Sequence, residues 1–284
     1  MRKLKLLIKL GALLMQGKKV KDEQIGESYS EVSPYYEDYF LKEMHRYNHH
    51  LLDKVIKAAP KHVERVLDLA CGTGYNSAYL QQTYGKAEFN LVDISEGMLA
   101  QAKQKVLYRT NYIQESMLNF LHEQEDESFD VVICCWAIKY ENPEQIIKEV
   151  YRVLKPEGVF GVIVNTKDTL PEIRKVYPKL LIEKYEDIQR VMLELPNPSN
   201  KKTFDRWFIK EGFKIQDGKT GKHEFKFDTC KDLAHWITHT GALAGFDEMI
   251  DLRNDKTQEK MVELLDKEGI KQATHAFVWG AFKK

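Results

Sequence analysis

The sequence predicts an α/β fold: a doubly wound, mostly parallel sheet with helices on both faces. Two observations predict it. Five short apolar segments recur at 63–70, 87–93, 108–114, 129–135 and 159–164, separated by stretches with helical spacing. Helix boundaries also fall where such a fold needs them: Pro143 opens one helix, and Lys155-Pro156-Glu157-Gly158 stops it before the next strand. Sheets of this kind bind ligands beyond the carboxyl ends of their strands, at the switch point in strand order.

Taken in order, the first 21 residues form a segment with seven Lys or Arg and no acid. As a helix it places Lys5, Lys9, Ala12 and Gln16 on one face. Leu4, Leu7, Ile8, Gly11, Leu14 and Met15 share another, widened by Leu6, Leu10 and Leu13. Such a helix packs on its own domain or a second subunit, or lies at an anionic membrane surface. Lys9 interrupts the apolar stretch and no small-residue cleavage site follows, so a secretory signal is not expected. A helix is predicted from about Tyr39 to Ala59, then the strand 63–70, running into Cys71-Gly72-Thr73-Gly74 and a helix to about Thr83. The strand 87–93 ends in an acid and precedes a helix from Ser95 to about Val106. The third strand, 108–114, is weak; the fourth, 129–135, is very apolar. A helix to Leu154 and the strand 159–164 follow. Residues 168–195 read as mainly helical but polar, which suggests an inserted cap. Beyond lie a helix at 204–211, a strand at 213–217, helices at 228–239 and 257–268, and an alternating final strand at 273–282.

Composition narrows the function. The chain has 284 residues, with 43 basic against 43 acidic. That balance lacks the surplus charge of a dedicated nucleic-acid binder. Cys71, Cys134, Cys135 and Cys230 show no metal-type spacing, and two sit in an apolar run, so core packing in a reducing, cytosolic setting is expected. His45 and His49 stand at i and i+4 without a supporting acid motif, so no metal is expected.

The chemistry concentrates at two strand ends. Two glycines join the first strand to its helix, but Ser77 holds the third position of a dinucleotide fingerprint. Asp68, four residues before Gly72, would repel a diphosphate and suits a cationic amino group instead. Asp93, 25 residues after Asp68, is placed to accept hydrogen bonds from both hydroxyls of a ribose. A ligand with an ammonium group, a ribose and no phosphate matches S-adenosylmethionine.

On these residues the sequence resembles the class I S-adenosylmethionine-dependent methyltransferases, and most the branch of small-molecule and quinone enzymes. The resemblance covers 63–164. Asp68-Leu69-Ala70-Cys71-Gly72-Thr73-Gly74 matches the family's first motif, with Ala70 in place of its usual first glycine, and Phe129-Asp130-Val131-Val132 and 151–158 match two further landmarks. It implies a Rossmann-like, seven-stranded sheet with an antiparallel final strand and a helical cap. The expected division is 1–60 as amphipathic and cap helices, 61–167 as the cofactor core, 168–200 as a cap insertion, and 201–284 as the rest of the core with a second insertion at about 229–254.

The resemblance also implies roles. Asp68, Ala70, Cys71, Gly72 and Gly74 would hold the aminoacyl end, and Asp93 the ribose. Ile94 and Met98 would flank the adenine, Glu115 would bond its amino group, and the backbone of Ser116 and Met117 would contact its ring. Cys135, Trp136 and Tyr140 would border the methyl group. Tyr29 or Tyr36 would lie on a segment folding over the cofactor. His235 and His239, another i,i+4 pair, and Tyr36 are the candidate bases, needed only if the acceptor must lose a proton. No Asn-Pro-Pro-Tyr or Asp-Pro-Pro-Tyr follows the fourth strand, which disfavours the DNA-adenine and protein-glutamine branches. The expected activity is methyl transfer to a small molecule, with S-adenosylhomocysteine as product. The alternatives are a lipid or quinone methyltransferase docked through residues 1–21, and a cofactor-binding regulator without turnover.

Overall fold

Every predicted strand is present in the computed structural model, which describes residues 1–105 and 108–284. In chain order the elements are α1 (Arg2–Met15), α2 (Asp22–Val32), α3 (Lys42–Ala58), β1 (Arg65–Leu69), α4 (Tyr75–Gln81), β2 (Glu88–Asp93), α5 (Glu96–Lys103), β3 (Thr110–Gln114), α6 (Met117–Glu123), β4 (Phe129–Cys135), α7 (Pro143–Val153), β5 (Leu154–Asn165), α8 (Pro171–Glu183), α9 (Lys201–Ile209), β6 (Lys214–Lys226), α10 (Cys230–His239), α11 (Asp255–Glu268) and β7 (Gln272–Lys283). The predicted end of the α5 helix at Val106 lies outside the described residues.

The sheet has seven strands in the order β3-β2-β1-β4-β5-β7-β6. Neighbours from β3 to β5 pair in parallel, and β7 runs antiparallel to β5 from Val159↔Lys283 to Asn165↔Phe277. The order reverses between β1 and β4, which is the predicted switch point. β4 is buried at every residue, as a central parallel strand must be. One face of the sheet is filled by α7 and α9, where Phe208 stacks on Phe282 at 3.7 Å and both pack with Phe160, Phe204 and Phe213. α7 forms where predicted: Asn142 caps its first amides, Pro143 sets its first turn, and Ile146, Ile147, Val150 and Val153 make its buried stripe.

Some elements differ from expectation. The polar stretch 168–195 is helical only in α8 and a short turn to Asp187; beyond Ile188 the chain is irregular, and Pro196 and Pro198 supply no backbone donors there. β6 extends to Lys226 rather than stopping at 217. It is a sheet-edge strand, largely exposed and rich in Lys, so no apolar alternation marks it. The helix α6 arises where none was predicted.

The chain divides into two compact units, one of Met1–Phe40, Asp168–Glu194 and Lys222–His275, the other of Leu41–Lys167, Leu195–Gly221 and Ala276–Lys284. α3 therefore belongs with the sheet, not with the N-terminal helices as the expected 1–60 segment had it, and the C-terminal insertion is wider than 229–254. The first unit packs α1 and α11 on α8 and α10 on α11. Within it, Glu268 accepts from Lys175 and Lys179 on α8, and Phe40, Phe225, Trp236 and His275 form an aromatic cluster. Among the described residues no helix is long and apolar enough to cross a membrane.

Candidate functional site

The site is built from the sheet unit. β1 delivers Asp68 into a fully buried position, where Ser77 Oγ, on the first turns of α4, donates to its Oδ2 at 2.7 Å. The other oxygen, Oδ1, is buried without a partner. Burial pushes this carboxyl from its ordinary 3.8 up to about 7, against the lowering effect of Ser77.

The turn that follows is tied down by backbone bonds. Cys71 N–H donates to Val92 O, and Gly74 N–H donates to Cys71 O, both at 3.0 Å. Ala70, Gly72 and Gly74 all have positive φ, of 53°, 54° and 74°. Ala70 thus adopts the left-handed backbone of the glycine it replaces, at a steric penalty. The two glycines serve different ends. A Cβ on Gly74 would meet Ala102 Cβ at 3.0 Å, so this glycine lets α5 approach. A Cβ on Gly72 would meet nothing within 4 Å, so its bare backbone faces open space.

Asp93 closes the adjacent strand and organises the turn. Its Oδ2 accepts from Gly72 N–H and its Oδ1 from Ser95 N–H, each at 2.8 Å. It is 8% exposed, and burial raises its carboxyl to about 6 in spite of the two amides. The register Leu69↔Val92 sets Asp93 level with Ala70, two residues further along the sheet than Asp68. At a strand rise of about 3.3 Å and a spacing of about 4.8 Å, the two acids stand about 8 Å apart along and across the sheet. Two buried, partly satisfied carboxylates at that separation fit a ligand with a cationic group at one end and a diol beyond it.

The next strand ends at Glu115, half-buried, whose N–H donates to Asp93 O at 3.2 Å. Ser116 caps α6 through Oγ. The N–H of Met117, expected to contact adenine, instead donates to Glu141 Oε1 at 2.7 Å, and Leu118 N–H donates to Glu141 Oε2 at 2.9 Å. That helix start is thus capped from across the sheet. Ile94 is half-buried, and Met98 on α5 is 1% exposed.

At the end of β4, Cys135 is buried, and its burial raises the thiol well above the ordinary range. Trp136 has φ 68°. Its N–H donates to Ile163 O at 2.7 Å, and its indole N–H donates to Asn48 Oδ1 at 2.9 Å, while Asn48 Nδ2 donates to Asn76 Oδ1 at 3.0 Å. This chain ties α3, α4 and the β4 end together. Lys139 donates from Nζ to Trp136 O at 2.5 Å and Asn165 Oδ1 at 3.3 Å, and lies 4.5 Å from the centroid of the Tyr140 ring. Burial lowers this ammonium to about 7.

Asp68, Ala70, Cys71, Gly72, Gly74 and Asp93 therefore come together in one hydrogen-bonded turn, with Ile94 and Glu115 on the adjoining strand ends. Tyr29, Tyr36, His235 and His239 belong to the other unit. There Tyr29 meets Tyr36 edge-on at 6.0 Å, and Gly241 packs against the Tyr29 ring. His235 is exposed and stacks on His239 at 3.8 Å, beside Tyr35 and Tyr39. His239 Nδ1 lies 2.8 Å from His235 O, within its own helix. His45 and His49 serve as packing partners: His45 lies flat on Tyr75 at 3.5 Å, and the Tyr75 hydroxyl meets His49 Nε2 at 2.7 Å. Sequence reasoning missed Asn48, Asn76, Lys139 and Glu141, and the service of Ser77 to Asp68. Only Ser77 carried a signal, a hydroxyl on the first turns of the helix that follows the acid.

A family model described as a methyltransferase domain matches residues 66–158. The chain is 27% identical over 173 residues to the malonyl-[acyl-carrier protein] O-methyltransferase of Porphyromonas gingivalis, covering 59% of this chain and 63% of the relative. It is 32% identical over 114 residues to the demethylmenaquinone methyltransferase of Lactobacillus johnsonii, covering 38% and 46%. The chain thus spans less than two thirds of the length of these relatives. In fold it is similar to the crystal structure of the [4+2]-cyclase SpnF, with TM-score 0.59 and 16% identity over 94% of this chain and 97% of that one. The core that carries Asp68, Gly72 and Asp93 is thus similar to methyltransferase domains.

Proposed function

We propose that this protein transfers a methyl group from S-adenosylmethionine to a small-molecule acceptor. The observation that carries the reading is the unpartnered, buried Oδ1 of Asp68, set on the strand next to Asp93. A fully buried carboxylate with one unsatisfied oxygen is unfavourable by itself and is stabilised by a cationic donor. The ligand's ammonium group is such a donor. Asp93 keeps one lone pair on each oxygen beyond the two amides it holds, and these accept the ribose hydroxyls. Gly72 lets the ligand backbone approach, and Ile94, Met98, Glu115 and Ser116 surround the adenine.

When bound, the cofactor supplies a methyl group on a sulfonium for in-line displacement. The protein's part is then to hold the acceptor atom on that line and keep water out. The strand end at Cys135, Trp136 and Tyr140, rigidified by Asn48 and Lys139, supplies the wall for this. An acceptor that carries a proton on its nucleophilic atom also needs a base. The names of the two relatives favour a small acceptor, free or carrier-bound.

Isothermal titration with S-adenosylhomocysteine tests the site: binding that is lost in Asp68→Asn and Asp93→Asn supports it, and no binding by the wild type overturns it. Release of S-adenosylhomocysteine on adding candidate acceptors tests turnover. Binding without turnover across carrier-bound malonyl, quinone and phenol acceptors would instead favour a regulator.

A further inference from the structure

Helix α1 has an outer side that nothing in its unit covers. Its inner side packs on α8: Leu13 is buried, and Leu6 and Leu10 are half-buried. Arg2 pairs with Glu183, and Lys5 Nζ lies 5.7 Å from the centroid of the Tyr185 ring, which fixes the helix's rotation. Opposite, Leu4, Leu7 and Ile8 are 64%, 65% and 64% exposed, Met15 is 86% and Leu14 39%. A Cβ on Gly11 would meet no atom within 4 Å. At about 100° per residue these six positions fill one continuous arc of about 120°. Contiguous exposed apolar surface of this kind marks an interaction site.

The chemistry around the arc selects the partner. Residues 1–21 contain seven Lys or Arg and no acid, and Lys3, Lys18, Lys19 and Lys21 are exposed. A second copy pairing α1 with α1 would set lysines against lysines, whereas a bilayer with anionic headgroups satisfies both the leucines and the charge. The helix's 14 residues rise about 21 Å, too short for a hydrocarbon core of about 30 Å, so it must lie in the plane of the interface. We propose that α1 docks this protein on an anionic lipid surface, with Leu4, Leu7, Ile8, Leu14 and Met15 at the headgroup–acyl boundary and the neighbouring lysines at the phosphates. This does not rest on the methyltransferase reading, because the surface lies on the other unit and its assay needs no cofactor.

The test is flotation of the full chain with phosphatidylcholine vesicles, with and without about 30% phosphatidylglycerol. Binding is expected only to the anionic vesicles, and should fall as salt rises from about 0.1 M to about 0.5 M. Leu7→Glu with Ile8→Glu replaces two exposed side chains, so circular dichroism should be unchanged while vesicle binding drops about tenfold or more. Lys3→Glu with Lys18→Glu and Lys19→Glu should weaken binding and remove its salt dependence. Failure of the wild type to float, or flotation unaffected by both sets of substitutions, overturns the proposal. So does light scattering that shows a dimer dissociated by Leu7→Glu, which would make this face a subunit interface.

Discussion

Replacing Asp68 with Asn changes the charge of the site while keeping its shape, and the structure sets what should follow. The side chain is fully buried, Ser77 holds one oxygen, and the carboxyl is raised from 3.8 to about 7. A carboxyl raised in the folded state binds its proton more tightly there than in the unfolded chain. Its contribution to stability is therefore full below about 3.8, declines as pH rises to about 7, and is flat above. A shift of about three units at 1.36 kcal/mol each limits the penalty at pH 8 to about 4 kcal/mol. Asp68→Asn removes that penalty, so the variant should melt several degrees above wild type at pH 8, at about 2–4 °C per kcal/mol, and level with it near pH 4. Cofactor affinity should move the other way. With a pKa near 7 in the free protein, about a tenth of Asp68 is ionised at pH 6 and about nine tenths at pH 8, so wild-type binding of S-adenosylhomocysteine should weaken about tenfold between them. The variant, with no charge to titrate at this position, should bind weakly at pH 6 and pH 8 alike. Scanning calorimetry and titration calorimetry across pH 5–8.5 read both effects. A variant that is less stable than wild type at pH 8, or that binds within about threefold of it there, would refute the reasoning.

Gly72→Ala meets no neighbour but forces an Ala to φ +54°, so it should lower stability by only about 1–2 kcal/mol while weakening cofactor binding far more; equal affinity would show that no ligand approaches there. Ala70→Gly, at φ 53°, should relieve strain and raise the denaturation midpoint slightly without changing affinity. Lys139 is lowered from 10.5 to about 7, so the unfolded chain holds more protons between those values and native stability rises with pH across that window. Lys139→Met should abolish this rise, and melting curves of wild type and variant that stay parallel from pH 7 to 10 would refute it. Asn48→Ala leaves Trp136 Nε1 and Asn76 Oδ1 without their partner in the interior, and should cost about 1–3 kcal/mol in urea titration.

The sequence by itself determined the sheet and the turn. Apolar runs such as 129–135 can only be satisfied by burial on both faces, and an acid before a glycine turn is a local pattern, so Asp68, Gly72 and Asp93 were legible from their spacing. The amphipathic division of residues 2–15 was legible too, because helical periodicity fixes which residues share a face whatever covers them. Other features were decided only by tertiary structure. Glu141 caps a helix 23 and 24 residues away, and Asn48 bonds a tryptophan 88 residues distant. Lys139 is buried although its sequence marks it as a surface cation. β6 runs to Lys226 because an edge strand takes its backbone bonds from β7 and asks nothing of its side chains. Local pattern reports which groups need burial or a special backbone; which distant group then meets them depends on how the helices and strands pack, and no spacing in the chain encodes that.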